Sequence, residues 1–249
     1  MSASENCLMK FAPVSLETLD RVDFSDRMDS KSVFAARLLP EFLERLLPFY
    51  FILEQGGKRT FQYESLYFDT ARLQLFLDHH RGLGNRQKLR YRRYADSNVS
   101  FFEIKMKNNC GRSHKIRIPV ASVERALPPA IQEAIRIHTE LEPEALQPAL
   151  SISLNRITLL HREGLEKVTF DSDIRFEING SSKTMDGVVI AEVKQIKFNP
   201  ESDFLKVQHR LGVRTSSISK YCLGISLLNQ NVKANRFKAG RLRLEKIMA

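Results

Sequence analysis

The chain has 249 residues, 43% of them apolar, and a net charge of +10 at neutral pH. That fits one large domain or two small ones around a substantial core. Its three cysteines stand far apart with no CxxC pair, which argues against a zinc site or a disulfide framework, and no stretch approaches the ~18 uncharged apolar residues of a transmembrane helix.

In chain order, the opening MSASENCLMK has no apolar run long enough for a signal peptide, so the chain reads as cytoplasmic with a membrane-protein partner left open. The first twenty or so residues read as an irregular lead-in or a short helix. Residues 27–34 (RMDSKSVF) predict a strand with Arg27, Asp29 and Lys31 on one face. Pro40 suits the start of a helix, EFLERLLPFY, whose leucines and aromatics recur at helical spacing. A turn follows at 55–58 and a strand over 61–68, after which Asp69 and Thr70 can cap a short helix through Asp78. Strands are expected at about 86–95, 99–107 and 112–120, with Asn108-Asn109-Cys110-Gly111 as a hairpin turn. A helix over 127–138 precedes strands at 151–161, 167–176 and 188–197. Ser202 to Leu211 reads as a helix closed by Gly212, and 217–228 as another. The last nineteen residues carry six cations and one acid, a basic helix or tail. About eight strands with interspersed helices predict an antiparallel α+β protein.

The charge is concentrated. Residues 81–118 hold eleven Lys and Arg against two acids, or +9 of the total +10. In Lys88–Arg92, Phe102–Lys107 and Lys115–Ile118, charged and apolar residues alternate, so successive strands would present cations on one surface and apolar residues on the other. Such a surface can be a solvated sheet face, a nucleic-acid track or a phosphate site. A few carboxylates are set among the cations: Glu103 beside Lys105, Glu192 beside Lys194, and Asp171 and Asp173 beside Arg175. These would repel a bare nucleic-acid backbone but suit a metal–polyphosphate site, where cations neutralise oxygens and a carboxylate holds Mg²⁺ or Mn²⁺. Gly82-Leu83-Gly84 is a lone GxG, no Walker A sequence is present, Asp78-His79-His80 is only superficially metal-like, and no nucleophile motif stands out.

The ordered motifs RMDSK, SLYFDT, KLRYRRY, FFEIKMKNN, HKIRI, VTFDSDIRF, AEVK and SISKY resemble the VTC domain, the polyphosphate-polymerase branch of the triphosphate tunnel metalloenzymes. The resemblance runs from about Arg27 to Leu228. It implies antiparallel strands closed into a barrel-like tunnel with helices packed outside, over 25–230, between a lead-in (1–24) and a basic tail (231–249). It further implies transfer of the γ-phosphate of ATP, or of another nucleoside triphosphate, to inorganic phosphate or a polyphosphate chain, with Mn²⁺ or Mg²⁺ as cofactor. Carried over motif by motif, Lys31, Arg90, Arg92, Lys105, Lys115, Arg156 and Lys220 would grip phosphate oxygens, with Arg27, Arg117 and Lys194 as further ligands. Glu192 would hold the metal, with Glu103 and Asp171 as second choices. The related CYTH branch uses a Glu-rich ExExK strand; here that strand is Arg27-x-Asp29-x-Lys31, which favours the VTC branch. A triphosphatase without polymer product and a non-catalytic polyphosphate- or nucleotide-binding module are the alternatives. Nucleic acid is not expected as a partner.

Overall fold

The structure is a computed structural model and describes residues 3–22, 24, 27–109 and 113–248. In chain order it contains α1 (Ala3–Leu8), β1 (Pro13–Val14), α2 (Leu16–Arg21), β2 (Met28–Ala35), α3 (Leu39–Leu46), β3 (Tyr50–Leu53), β4 (Phe61–Thr70) and α4 (Gln74–Arg81). There follow β5 (Arg86–Tyr94), β6 (Val99–Lys107), β7 (Ser113–Val120), α5 (Pro129–His138), β8 (Leu146–His161), β9 (Glu166–Ile178), β10 (Ser181–Thr184) and β11 (Val188–Gln195). The chain ends in α6 (Asp203–Arg210), α7 (Lys220–Leu228) and α8 (Lys238–Met248). The antiparallel α+β class is as expected.

One sheet runs in the order β2-β11-β9-β8-β4-β5-β6-β7, with the short β1, β3 and β10 at its margins. Three of its eleven strands, β1, β3 and β10, are absent from the sequence reading. β1 and β10 are two and four residues long, and the first residue of β3, Tyr50, is the last of the expected helix EFLERLLPFY. That helix stops at Leu46, and Tyr50 opens β3 against His161 of β8. Phe42, Leu43 and Leu46 do give α3 a fully buried stripe, so the helical spacing is real up to its last turn. Asp69 and Thr70 cap α4 as anticipated: Leu75 N and Phe76 N donate to Asp69 at 2.9 Å, and Gln74 N to Thr70 Oγ1 at 3.0 Å. β6 and β7 pair from Ser100↔Val120 to Lys107↔Ser113, as expected for a hairpin, while Cys110 and Gly111 of the predicted turn lie outside the described residues.

The period-2 alternation divides the sheet into two faces. One face is mainly apolar, with a few buried polar groups such as Ser32, Glu166 and Gln195. Phe34, Ile157, Leu159, Val168, Phe170, Val189, Ala191 and Val193 pack under α1, α3 and α6, and Leu66, Phe68, Leu89, Tyr91, Phe102 and Ile104 pack under α5. The other face is concave and changes character along the strands. Ile152, Leu150, Ile190, Val188, Val33, Ile174 and Phe176 make one end apolar. At the other end, Arg156, Thr158, Glu192, Lys194 and Lys31 continue the same parity into a basic cavity.

Two expectations are corrected. The sheet is not closed by hydrogen bonds. The outer edge of β2 is taken by the segment before α7, through the Ser32↔Thr215 bridge and Ser216 N donating to Lys31 O at 2.7 Å. That edge is therefore unavailable to β7, and Lys105 Nζ of β6 approaches Asp29 of β2 at 3.9 Å instead. Nor do all helices lie outside. α7 fills the apolar end of the concave face because Tyr221 to Ser226 are buried on every side, a pattern that only a helix enclosed all round can satisfy. Gly224 permits the contact: a Cβ there would come within 2.6 Å of Phe176 and 2.7 Å of Leu150.

Candidate active site

A cavity of about 610 Å³ occupies the charged half of the concave face. Among the described residues its wall carries twelve Lys and Arg residues and four acids, Asp20, Asp96, Glu103 and Glu192. Lys31, Arg90, Arg92, Lys105, Lys115, Arg156, Lys220, Arg27, Arg117, Lys194, Glu192 and Glu103 all line it, so the strand parity read from the sequence brings these dispersed residues to one place. Asp171 lies just behind the wall, fully buried.

The carboxylates differ in what they hold. Glu103 is 2% exposed and works as a counter-ion: Arg90 Nε and Nη2 donate to Oε2 at 2.8 and 2.6 Å, Lys115 Nζ to Oε1 at 2.8 Å, and Arg117 lies at 3.6 Å. Burial pushes its carboxyl up, but Arg90, Arg92 and Lys115 together outweigh that and hold it far below the usual carboxylate range. Asp171 takes a bidentate grip from Arg156 at 2.6 and 2.7 Å and a contact from Lys220 Nζ at 2.6 Å. Against the push of burial, Arg156 and Lys220 likewise keep it ionised. The lone pairs of both are therefore engaged by cations. Among the described residues the ion pairs of Glu192 are with lysines: Lys31 Nζ at 3.4 Å, across the β2–β11 register pair Glu192↔Lys31, and Lys194 Nζ at 3.0 Å on its own strand. Lys194, Lys31, Lys220 and Arg156 overcome its burial and keep it charged.

The cations are crowded enough to perturb one another. Burial lowers Lys105, Lys115 and Arg92 from their ordinary values, with Lys31, Arg117 and Arg90 respectively adding repulsion. Lys167 is pushed down to about 8 by burial, Lys194 and Arg27. Lys88 is pushed down to about 7 by burial and by Lys31, Lys105 and Arg90, and its ammonium is held by a hydroxyl, Ser219 Oγ at 3.1 Å. A pocket whose burial and crowding lower its ammonium groups is suited to a ligand that brings several negative charges of its own.

Aromatic rings fix the guanidinium planes. Arg90 Nη1 donates to Tyr67 Oη at 2.6 Å. Arg156 and Arg92 lie 4.7 and 5.4 Å from the Tyr63 ring centroid, and Arg117 lies 3.9 Å from that of Phe101. Arg92 also reaches Ser65 Oγ at 3.3 Å. Several of these partners were missed in the sequence reading. Lys88 shares the parity of Arg90 and Arg92, and Lys167 that of Asp171, so alternation alone could have added them. Tyr63, Tyr67, Ser219 and Tyr221 had no such signal, because nothing local says which arginine an aromatic ring will support.

A divalent cation fits this site in one way. Among the described residues no three His, Cys, Asp or Glu side chains converge into a metal-binding group. Asp78-His79-His80 forms none either, and burial with Lys88, Arg86 and Lys107 pushes His79 down to about 2. Glu192, held by ammonium groups that a ligand's oxygens could take over, matches a cation that shares its coordination with substrate phosphates. Glu103 and Asp171 are committed to arginine.

No helix of the described residues is long and apolar enough to cross a membrane. Among curated proteins none matches the sequence. Solved structures similar to the chain include a candidate adenylate cyclase from Bacillus halodurans, at 13% identity over 78% of this chain and 94% of that one with a TM-score of 0.52, which shows a shared fold. A candidate adenylyl cyclase from Hippeastrum, described as having a dominant triphosphatase activity, matches at 17% identity over 80% and 96% with a TM-score of 0.47. The VTC domain model matches residues 26–229, from the strand bearing Lys31 to the end of the helix bearing Lys220. The chain belongs to the VTC domain family.

Proposed function

We propose that the chain is a metal-dependent polyphosphate polymerase that transfers the γ-phosphate of a nucleoside triphosphate, ATP in the first instance, to phosphate or to a growing polyphosphate chain. The observation that carries this reading is the gathering, among the described residues, of twelve cations in one cavity with Glu192, which is ion-paired there with Lys31 and Lys194. Phosphoryl transfer needs positioning and neutralisation of charge more than a strong nucleophile or base.

Arg90 and Arg92 on β5, Lys105 on β6, Lys115 on β7 and Arg156 on β8 surround the cavity and would share the oxygens of a triphosphate. Lys31 and Lys220 approach from β2 and α7. Glu192 would hold Mg²⁺ or Mn²⁺ together with substrate phosphates, and the cation when bound supplies further neutralisation of the transferring group. In the reaction, an oxygen of the acceptor phosphate forms a bond to the γ-phosphorus, and the bond from that phosphorus to the β–γ bridging oxygen breaks. The nucleoside diphosphate leaves with the electron pair, stabilised by the surrounding cations. Removing bulk water from the cavity would strengthen each charge contact and favour an anionic acceptor over hydrolysis.

Incubation with ATP and Mn²⁺ should produce ADP and a polyphosphate ladder on a stained polyacrylamide gel, both lost on chelation and in Glu192→Gln. Orthophosphate without a ladder would move the assignment to a triphosphatase, and absence of both products would reject catalysis by this chain.

A further inference from the structure

Three consecutive residues at the start of α7 hold three different strands. Ser219 Oγ caps the helix by accepting from Cys222 N at 3.4 Å and also takes Lys88 Nζ of β5 at 3.1 Å. Lys220 Nζ meets Asp171 of β9 at 2.6 Å. Tyr221 donates its hydroxyl to Oδ2 of Asp69, near the end of β4. Asp69 is fully buried, and its oxygens also accept from the backbone N–H groups of Thr70 at 2.7 Å and of Leu75 and Phe76 at 2.9 Å. The same carboxylate therefore caps α4 and anchors α7. On its other side the Tyr221 ring stacks on Tyr67, centroids 5.0 Å apart and planes 23° from parallel, and Tyr67 Oη accepts from Arg90.

A directional anchor has a physical purpose here. α7 is enclosed by apolar side chains such as Leu150, Ile152 and Phe176, and apolar packing resists separation more than it specifies rotation. One residue of slip along a helix moves a side chain 1.5 Å along the axis and about 100° around it. Either displacement would take Lys220 away from Asp171 and Ser219 away from Lys88.

We propose that Asp69 and Tyr221 are positioning residues for the phosphate site. Their hydrogen bond sets the depth and rotation at which α7 presents Ser219 and Lys220 to the cavity, and the Tyr221–Tyr67 stack carries the same constraint to Arg90. This rests on the reading of the cavity as a triphosphate site, though not on polymerase activity.

The test is a double-mutant cycle read by calorimetric binding of inorganic tripolyphosphate, with no nucleotide and no turnover. Tyr221→Phe keeps the ring stack and removes the bond to Asp69; its affinity should fall about tenfold. Lys220→Ala should weaken binding on its own, and the double variant should lose clearly less than the sum of the two single losses, because Tyr221 acts in large part through the residue already removed. Asp69→Asn, which keeps an acceptor for Thr70 N and Leu75 N but turns a donor amide toward Phe76 N and Tyr221, should weaken binding with the same sub-additivity. Additive losses, or wild-type affinity in Tyr221→Phe, would overturn the positioning role and leave the triphosphate site standing. A wild-type protein with no affinity for tripolyphosphate would overturn both.

Discussion

Lys88 shows what crowding does to a single side chain. Its ordinary value of 10.5 is lowered to about 7 by burial and neighbouring cations. Below that value the ammonium is charged and adds to the attraction for phosphate; above it the amine is neutral. Tripolyphosphate affinity should therefore fall as pH rises through 7, by about fivefold from pH 7 to pH 8 if only the charged form binds. In Lys88→Met this part of the pH profile should flatten, and a calorimetric titration of both proteins over that range checks it. The sign reverses for folding stability. Between about 7 and 10.5 the unfolded chain binds this proton and the folded one does not, so Lys88 contributes rising stability as pH increases through 7. Glu103 is the opposite case. Glu103→Gln leaves Arg90, Lys115 and Arg117 without their counter-ion, which should cost about 3–5 kcal/mol in chemical denaturation. Added tripolyphosphate should recover much of that loss, since it supplies the missing negative charge.

At the scale of elements, α7 decides how the concave face is divided between core and site. Its glycine is the sharpest probe. A methyl group at Gly224 would meet side-chain atoms of Phe176 and Leu150 closer than carbon atoms ordinarily approach. Gly224→Ala should therefore destabilise the protein by about 1–3 kcal/mol, by overpacking that exceeds the gain in helix propensity. Because the helix must shift to relieve the contact, tripolyphosphate affinity should fall as well, although position 224 does not line the cavity; denaturant titration and calorimetry together check both effects. The strands behave differently. β5, β6 and β7 place Lys88, Lys105 and Lys115 in one cross-strand row and Arg90, Glu103 and Arg117 in the next. The first row sets three like charges side by side, an arrangement unfavourable in a sheet by itself, and Glu103 of the second row relieves it at Lys115.

For the molecule as a whole, a cavity this rich in cations should make folding and ligand binding strongly linked. A polyanion at about 100 times its dissociation constant adds about 2.7 kcal/mol, which for a chain of this size corresponds to a rise in Tm of about 5–10 °C. A thermal scan with tripolyphosphate should show that rise, and it should shrink as salt is added because the contacts are charge–charge in origin.

The sequence by itself determined the strand alternation, and with it the side of the sheet that each of Lys31, Arg90, Arg92, Lys105, Lys115, Arg156 and Glu192 occupies. Period-2 patterning is a local property that survives whatever the strands pair with. It also indicated the cap of α4 by Asp69 and Thr70, which depends on side chains and backbone groups a few residues apart. Tertiary structure alone decided the rest. That α7 lies inside the curve of the sheet, that β2 pairs with residues 215–216 instead of closing on β7, and that Asp69 meets Tyr221 across 152 positions depend on contacts between distant segments. Tertiary structure also separated the carboxylates into counter-ions and a metal candidate. All three are acids beside cations in the sequence, but only the fold sets arginines on Glu103 and Asp171 and, among the described residues, pairs Glu192 with lysines.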